Sequence, residues 1–388
     1  MNEQRLNQLT AKMRELDLNC LIAYFDGMHT FLEANYVYML TDFKPMAESF
    51  AVLFADGRTT LLLTPAWDRH RARRGVAGCD VIGTDDLFGA LKQFVDEHNI
   101  RWEETGLLGF SGLSQRSWER FAASFGMAAF SGTGSSPGSG AGLNHVDAHV
   151  LPILQTKTAE ELKRAAEATR IAEKGFERFM EVIREGVTEY EIAGELDSYM
   201  RALGADDNFL LMSASKHNRS VRAPGDRRIE RGDLILAEIS PGVEGQFSQI
   251  CRTVVFGESD EGRRQLLKEK YGLLLEALRQ GIAAAAPGAA MSSLVTAMNA
   301  PIEAAGYGEF CHPPYMRVRG HGLGLSSILP GDVSLDNGTI LQENMFFVLH
   351  PNQYIPETGY MLCGVPVRIA SRGALSLCEG EPELVFID

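Results

Sequence analysis

The stretch SGTGSSPGSGAG, residues 131 to 142, contains no side chain larger than threonine or proline and no apolar group beyond one alanine. A run so poor in apolar residues cannot pay for its own ordering by burial and reads as a connector. It divides the 388-residue chain, which is long enough for two hydrophobic cores. The expected domains are residues 1–150 and 151–388.

The two halves carry different patterns. In the first, short apolar runs such as CLIAYF (20–25) and FAVLFADGRTTLLLT (50–64) alternate with helical segments such as DDLFGALKQFVDEH (85–98), with ADGR as the clearest hairpin turn. That pattern predicts a small α/β domain. The second half opens with two Thr-x-x-Glu capping boxes, Thr158 with Glu161 and Thr188 with Glu191, each ahead of an apolar-periodic run. Strand-like runs follow at 233–239, 247–256 and 345–350, with helices near 259–285 and 290–305. Helices and strands in that order suit an α+β domain whose strands carry the site.

Composition narrows the partners. A formal net charge of −14 argues against nucleic acid or an anionic membrane, both of which call for a basic face. The N-terminal segment MNEQRLNQLTAKMRELDLN reads as a polar amphipathic helix with no apolar signal core, and no apolar run reaches membrane-spanning length. Six cysteines (Cys20, Cys79, Cys251, Cys311, Cys363, Cys378) are scattered without CxxC pairs, which predicts neither a zinc cluster nor a disulfide framework. A reducing, cytoplasmic location is the expectation.

Four segments then occur in a telling order: GDLILAEISPGVEGQFSQICRTVVFG (232–257), GHGLGL (320–325), ENMFFVLHPN (343–352) and VPVRIAS (365–371). Together they resemble the creatinase, prolidase and methionine aminopeptidase superfamily. The resemblance implies a pita-bread fold for the C-terminal domain, an α+β architecture, joined to a smaller α/β N-terminal domain. An ordered set of motifs is far more specific than a lone GHG.

Metallopeptidases of that superfamily hold two divalent ions with two aspartates eleven residues apart, a histidine in GHG, and two glutamates. Carried over by resemblance, these positions fall on Glu238, Gln249, His321, His350 and Ala370. Hard divalent cations need anionic oxygens and imidazoles, and this set supplies one carboxylate. The expectation is therefore no dinuclear centre and no cofactor. The alternative is one divalent transition metal held by Glu238, His321 and His350, a two-histidine, one-carboxylate set.

Loss of the metal ligands resembles creatinase and ectoine hydrolase, which cleave C–N bonds of small amidines. On that reading the chain is a metal-independent hydrolase of a non-peptide C–N bond. Glu238 acts as nucleophile or base, and His321 and His350 move protons. For each residue a plainer role competes: a hydrogen-bonding strand carboxylate, or a histidine held in a turn. The alternatives are an Xaa-Pro peptidase-like hydrolase or lyase with a rebuilt mononuclear metal site, and a noncatalytic binding protein of the same fold.

The expected partner is a small, carboxylate-bearing substrate, and Arg is the natural bidentate partner for a carboxylate. Arg222 and Arg319 flank the inherited site and are candidates with Gln249, and RHRARR (69–74) is a weaker one. Creatinase and many relatives carry a histidine at the position of Val221, a role His217 could take if the loop shifts register. The resemblance also implies a homodimer, in which aromatics of YFDGMHTFLEANYVYML (24–40) could line the border with the other subunit's site, although core packing is their more common fate.

Overall fold

The structure is a computed structural model describing residues 3–28, 31–127 and 143–388. The Gly/Ser/Pro stretch at 131–142 lies outside the described residues, as do His29 and Thr30 of the aromatic segment. The chain forms two compact units, Met1–Leu154 and Gln155–Asp388. No helix of the described residues is long and apolar enough to cross a membrane.

The first unit runs α1 (Glu3–Glu15), β1 (Cys20–Phe25), α2 (Tyr36–Thr41), β2 (Ser49–Phe54), β3 (Thr59–Leu63), α3 (Arg69–Gly75), β4 (Cys79–Gly83), α4 (Leu87–Glu97), β5 (Thr105–Leu108), α5 (Gln115–Phe125), β6 (Asn144–His145) and α6, which begins at Asp147. Its mixed six-stranded sheet has the order β4-β3-β2-β1-β5-β6. The β2–β3 hairpin closes through the Phe54 amide on the Arg58 carbonyl, with Gly57 at φ +91° in a conformation glycine tolerates. Tyr24, Phe31, Tyr36 and Tyr38 are buried within this unit, so core packing accounts for the described aromatics of 24–40. The RHRARR segment forms α3 and its flank, where Arg71 pairs with the buried Asp68.

The second unit starts with α7 (Ala159–Val182) and α8 (Glu189–Ala202), and both capping boxes are formed. Next come β7 (Asp207–Ser215), β8 (Asp233–Val243), β9 (Gln246–Phe247), β10 (Ile250–Phe256), α9 (Glu261–Ala284), α10 (Met291–Ile302) and β11 (Gly320–Gly322). The chain ends with β12 (Phe346–Leu349), β13 (Gln353–Ile355), β14 (Gly359–Met361), β15 (Val365–Ala370), β16 (Gly373–Ser376) and β17 (Val385–Ile387). One sheet runs β17-β10-β8-β7 with β9 on β8, a second β11-β12-β15-β16, and β13 and β14 form a separate hairpin.

Period-two alternation assigns the faces of β8. Ile235, Ala237 and Ile239 pack under α7 and α8 with Ile171, Phe179, Leu196 and Met200. Contact there is close enough that a Cβ on Gly175 of α7 would lie 2.8 Å from the Met200 sulfur. The opposite face carries Leu234, Leu236, Glu238 and Ser240. Leu236 joins Cys251 and Leu362 in a small cluster, so a carboxylate two residues further along this face sits beside apolar walls.

Candidate active site

Glu238 lies mid-strand on β8, opposite Cys251 of β10 and Leu211 of β7. Its Oε1 accepts a hydrogen bond of 3.2 Å from Asn352 Nδ2. Burial pushes the acid up to about 7, against a smaller lowering by Asn352. The carboxyl is thus poised to exchange a proton near neutrality.

Asn352 is held from three sides. Its Oδ1 accepts the Cys363 amide at 3.0 Å, its amide donates to the His350 carbonyl at 2.6 Å, and its carbonyl accepts Arg319 Nη1 at 3.0 Å. Tyr360 of β14 borders both Glu238 and Asn352. Burial, then the Glu238 charge, raise its phenol above the usual range, so it stays a hydrogen-bond donor. Both residues escaped the sequence reading. The only signal for Asn352 was its place two residues after His350, and Tyr360 had none.

His321 sits in β11 opposite Val348 of β12. Its Nδ1 lies 2.9 Å from the Gly322 carbonyl and must donate to it, which leaves Nε2 as the acceptor of the neutral ring. The flanking glycines answer to packing. A Cβ on Gly320 would fall 2.0 Å from the Val348 carbonyl oxygen and one on Gly322 2.1 Å from that of Leu329, so neighbouring backbone packs directly on both glycines.

His350 follows β12 directly. Its ring centroid is 5.3 Å from that of His321. Burial, then the neighbouring imidazole, push its acid down to about 3, and burial lowers that of His321 as well. Both rings are neutral at physiological pH. The His350 Nδ1 is buried without a hydrogen-bond partner among the described residues.

The remaining candidates are engaged elsewhere. Gln249 is buried, accepting from Ser240 Oγ at 3.1 Å and donating to the Cys251 sulfur. Arg222 grips the fully buried Glu189 at 2.8 and 3.1 Å. Arg319 is itself fully buried, donating to Asn299 Oδ1, the Asn352 carbonyl, Gln353 Oε1 and the Cys311 sulfur. Its role is to tie α10 to the β12–β13 segment. His217 bonds the Pro356 carbonyl at 2.9 Å on a loop. Val221, at the usual histidine position, packs against the Leu236, Cys251 and Leu362 cluster.

Strand register corrects the placement of the last inherited ligand on Ala370. Antiparallel pairing sets Leu349 opposite Val365, so the residues flanking His350 are Cys363 and Gly364. A Cβ on Gly364 would lie 2.6 Å from that of His350. Ala370 is six residues further along, about 20 Å at strand rise.

A two-ion cluster does not fit this donor set. Glu238 is the one carboxylate at the matched positions, and one orphan imidazole nitrogen on His350 does not replace the missing anionic oxygens. Nor does the single-ion alternative assemble: among the described residues no group of three or more His, Cys, Asp or Glu side chains could hold a metal ion.

The family model described as metallopeptidase family M24 matches residues 163–372. The chain belongs to this family. It is 30% identical over 251 residues to a Bacillus subtilis protein named uncharacterized peptidase YqhT, covering 62% of this chain and 69% of that one. It is 32% identical over 232 residues to the Xaa-Pro dipeptidase of Pyrococcus furiosus, covering 59% of this chain and 64% of the relative, just under two thirds. The fold superposes on the X-Pro aminopeptidase of Thermotoga maritima with a TM-score of 0.81 at 22% identity, over 98% and 99% of the two chains. Against the prolidase of Pyrococcus horikoshii the TM-score is 0.78 at 22% identity, over 99% and 100%. The pita-bread domain with its smaller N-terminal α/β domain is thereby established.

Two expectations are corrected. The reading as a hydrolase of non-peptide amidines gives way, because the named relatives are peptidases and Xaa-Pro dipeptidases. The expectation of no cofactor gives way too, because the family is one of metallopeptidases. The donor positions of this chain and the name of its family therefore disagree.

Proposed function

We propose that the protein is a peptidase that hydrolyses a short peptide at an Xaa-Pro bond, with Glu238 as general base. The observation that carries this reading is the Glu238 carboxyl, at the position of the family's first ligand, desolvated, fixed by Asn352 and titrating at about 7. The names of the relatives support the bond type.

In this mechanism Glu238 takes a proton from water as the oxygen attacks the carbonyl carbon. Asn352 keeps the receiving oxygen in place, and the Tyr360 O–H donates to the oxygen on which charge develops. When the C–N bond breaks, the proton on Glu238 passes to the leaving nitrogen. His321, neutral with Nε2 as acceptor, is suited to orient the incoming water.

We also assign a homodimeric assembly, following the resemblance, and a reducing compartment, supported by six free cysteines, four of them buried. The test is hydrolysis of a panel of Xaa-Pro dipeptides and matched Xaa-Ala controls, assayed with and without added Mn²⁺, beside Glu238→Gln. Cleavage restricted to Xaa-Pro and lost in the variant is the expected result. Turnover retained by the variant would remove Glu238 from the mechanism.

A further inference from the structure

Asn218 lies in the loop between β7 and β8 and is buried, although its neighbours His217 and Arg219 are exposed. An asparagine in a turn commonly bonds the backbone of its own turn. This one reaches further. Its Nδ2 donates at 2.8 Å to the carbonyl of Leu234, 16 residues away on β8 and on the same strand as Glu238. Its own backbone carbonyl accepts the Tyr360 amide of β14 at 2.7 Å. One residue therefore bonds both the strand that carries the carboxyl and the strand that carries the phenol.

The contact with β14 is close as well as bonded. Gly359 has φ +83°, and a Cβ there would meet the Asn218 carbonyl oxygen at 2.8 Å and the Asn218 nitrogen at 2.9 Å. His217 adds a tie to the turn of the same hairpin, its Nε2 lying 2.9 Å from the Pro356 carbonyl. Beyond Tyr360, Thr253 of β10 donates its hydroxyl to the Leu362 carbonyl at 2.9 Å and accepts the Leu362 amide at 2.8 Å. Tyr360 is held between these two anchors, and of the two it is Asn218 that bonds β8 directly.

We propose that Asn218 is a positioning residue that sets the Tyr360 hydroxyl against the Glu238 carboxyl. It acts through β14, by fixing the offset between the two strands as a ladder bond would. A donor displaced by about 1 Å from the charge it stabilises costs about 10²-fold in rate, so a tie of this kind carries kinetic weight without touching substrate. The catalytic consequence rests on the peptidase reading, whereas the tie between the strands does not.

Two substitutions break the tie in different ways. Asn218→Ala removes the amide and keeps the backbone carbonyl; Asn218→Asp keeps the shape but sets an acceptor against the Leu234 carbonyl. Thr253 still holds the far end of β14, so in both variants backbone hydrogen exchange of residues 353–361 should quicken about ten-fold or more while that of β10 stays as in wild type. With an Xaa-Pro dipeptide, kcat should fall about ten-fold or more, with KM changed less. In a Tyr360→Phe background the same substitutions should lower kcat by less than about two-fold, because the group they position is already gone. A kcat loss of equal size in both backgrounds overturns the proposal, as does unchanged exchange of residues 353–361. If Asn218→Ala fails to fold, Gly359→Ala, which presses a methyl group on Asn218 from the β14 side, should give the same loss of kcat masked by Tyr360→Phe, and a loss not so masked overturns the proposal equally. If exchange quickens as expected and wild type cleaves no dipeptide, the peptidase reading fails and the tie between the strands stands.

Discussion

Glu238 and Asn352, 114 residues apart in sequence, meet through a 3.2 Å hydrogen bond from the Asn352 amide to the Glu238 carboxyl. That bond works against burial, lowering an acid that desolvation raises. Asn352→Ala should therefore move the rising limb of the kcat/KM profile to higher pH and reduce kcat more than it alters KM. An unchanged profile would mean that Asn352 serves the fold alone.

The pH dependence of stability follows from the same acid. Its folded value of about 7 lies above the ordinary carboxyl value of 4.5, so the folded state binds more protons between those limits and loses stability as pH rises through them. Above pH 7 the buried charge costs at most about 3 kcal/mol. Glu238→Gln should accordingly melt higher than wild type at pH 8 and about equally at pH 4.5. Denaturant midpoints at the two pH values check this, and a stabilisation equal at both would refute it.

Tyr360→Phe removes a hydroxyl with little change in shape. Loss of a donor to a developing oxyanion lowers kcat by about 10²–10³. Thermal melting should be nearly unchanged, which separates catalysis from folding. A kcat within two-fold of wild type would leave Tyr360 as a wall of the site.

Arg319 donates hydrogen bonds to Asn299, Asn352 and Gln353 from a fully buried position. Arg319→Ala strands these acceptors and should cost about 3–5 kcal/mol of stability. The expected signature is a lower melting temperature, with the KM for carboxylate substrates following the folded fraction. A selective rise in KM in a fully stable variant would return Arg319 to substrate binding.

Donor chemistry can be tested by restoring anions. Gln249→Asp with His350→Glu adds two negative charges at matched positions and should increase Mn²⁺ or Co²⁺ bound per chain over wild type, read by elemental mass spectrometry. No increase would place any metal the protein uses at other residues.

What was legible in the sequence was local or tied to strand pattern. The Thr158 and Thr188 caps form because a Thr-x-x-Glu box closes within one turn. Glu238, His321 and His350 read as site residues through the resemblance, because the motifs that surround them keep their order. Asn352 and Tyr360 were hidden, since they reach Glu238 only when the β13–β14 hairpin folds back. Arg222 and Arg319 were misjudged for a related reason: sequence does not reveal that Glu189, or a set of carbonyls and amides, already occupies a guanidinium. Ala370 was misplaced because the VRIA pattern does not reveal the β12–β15 register, which sets Gly364 and not Ala370 beside His350.

The β7–β8 loop covers a strand edge. β7 is the outer strand of its sheet, and the loop lies against its free side, where the Arg222 carbonyl accepts the Met212 amide at 2.7 Å while Glu189 anchors the Arg222 side chain. An uncovered strand edge recruits other chains. Substitutions that free Arg222 from Glu189 therefore put colloidal stability at risk, because they loosen the segment that covers this strand edge.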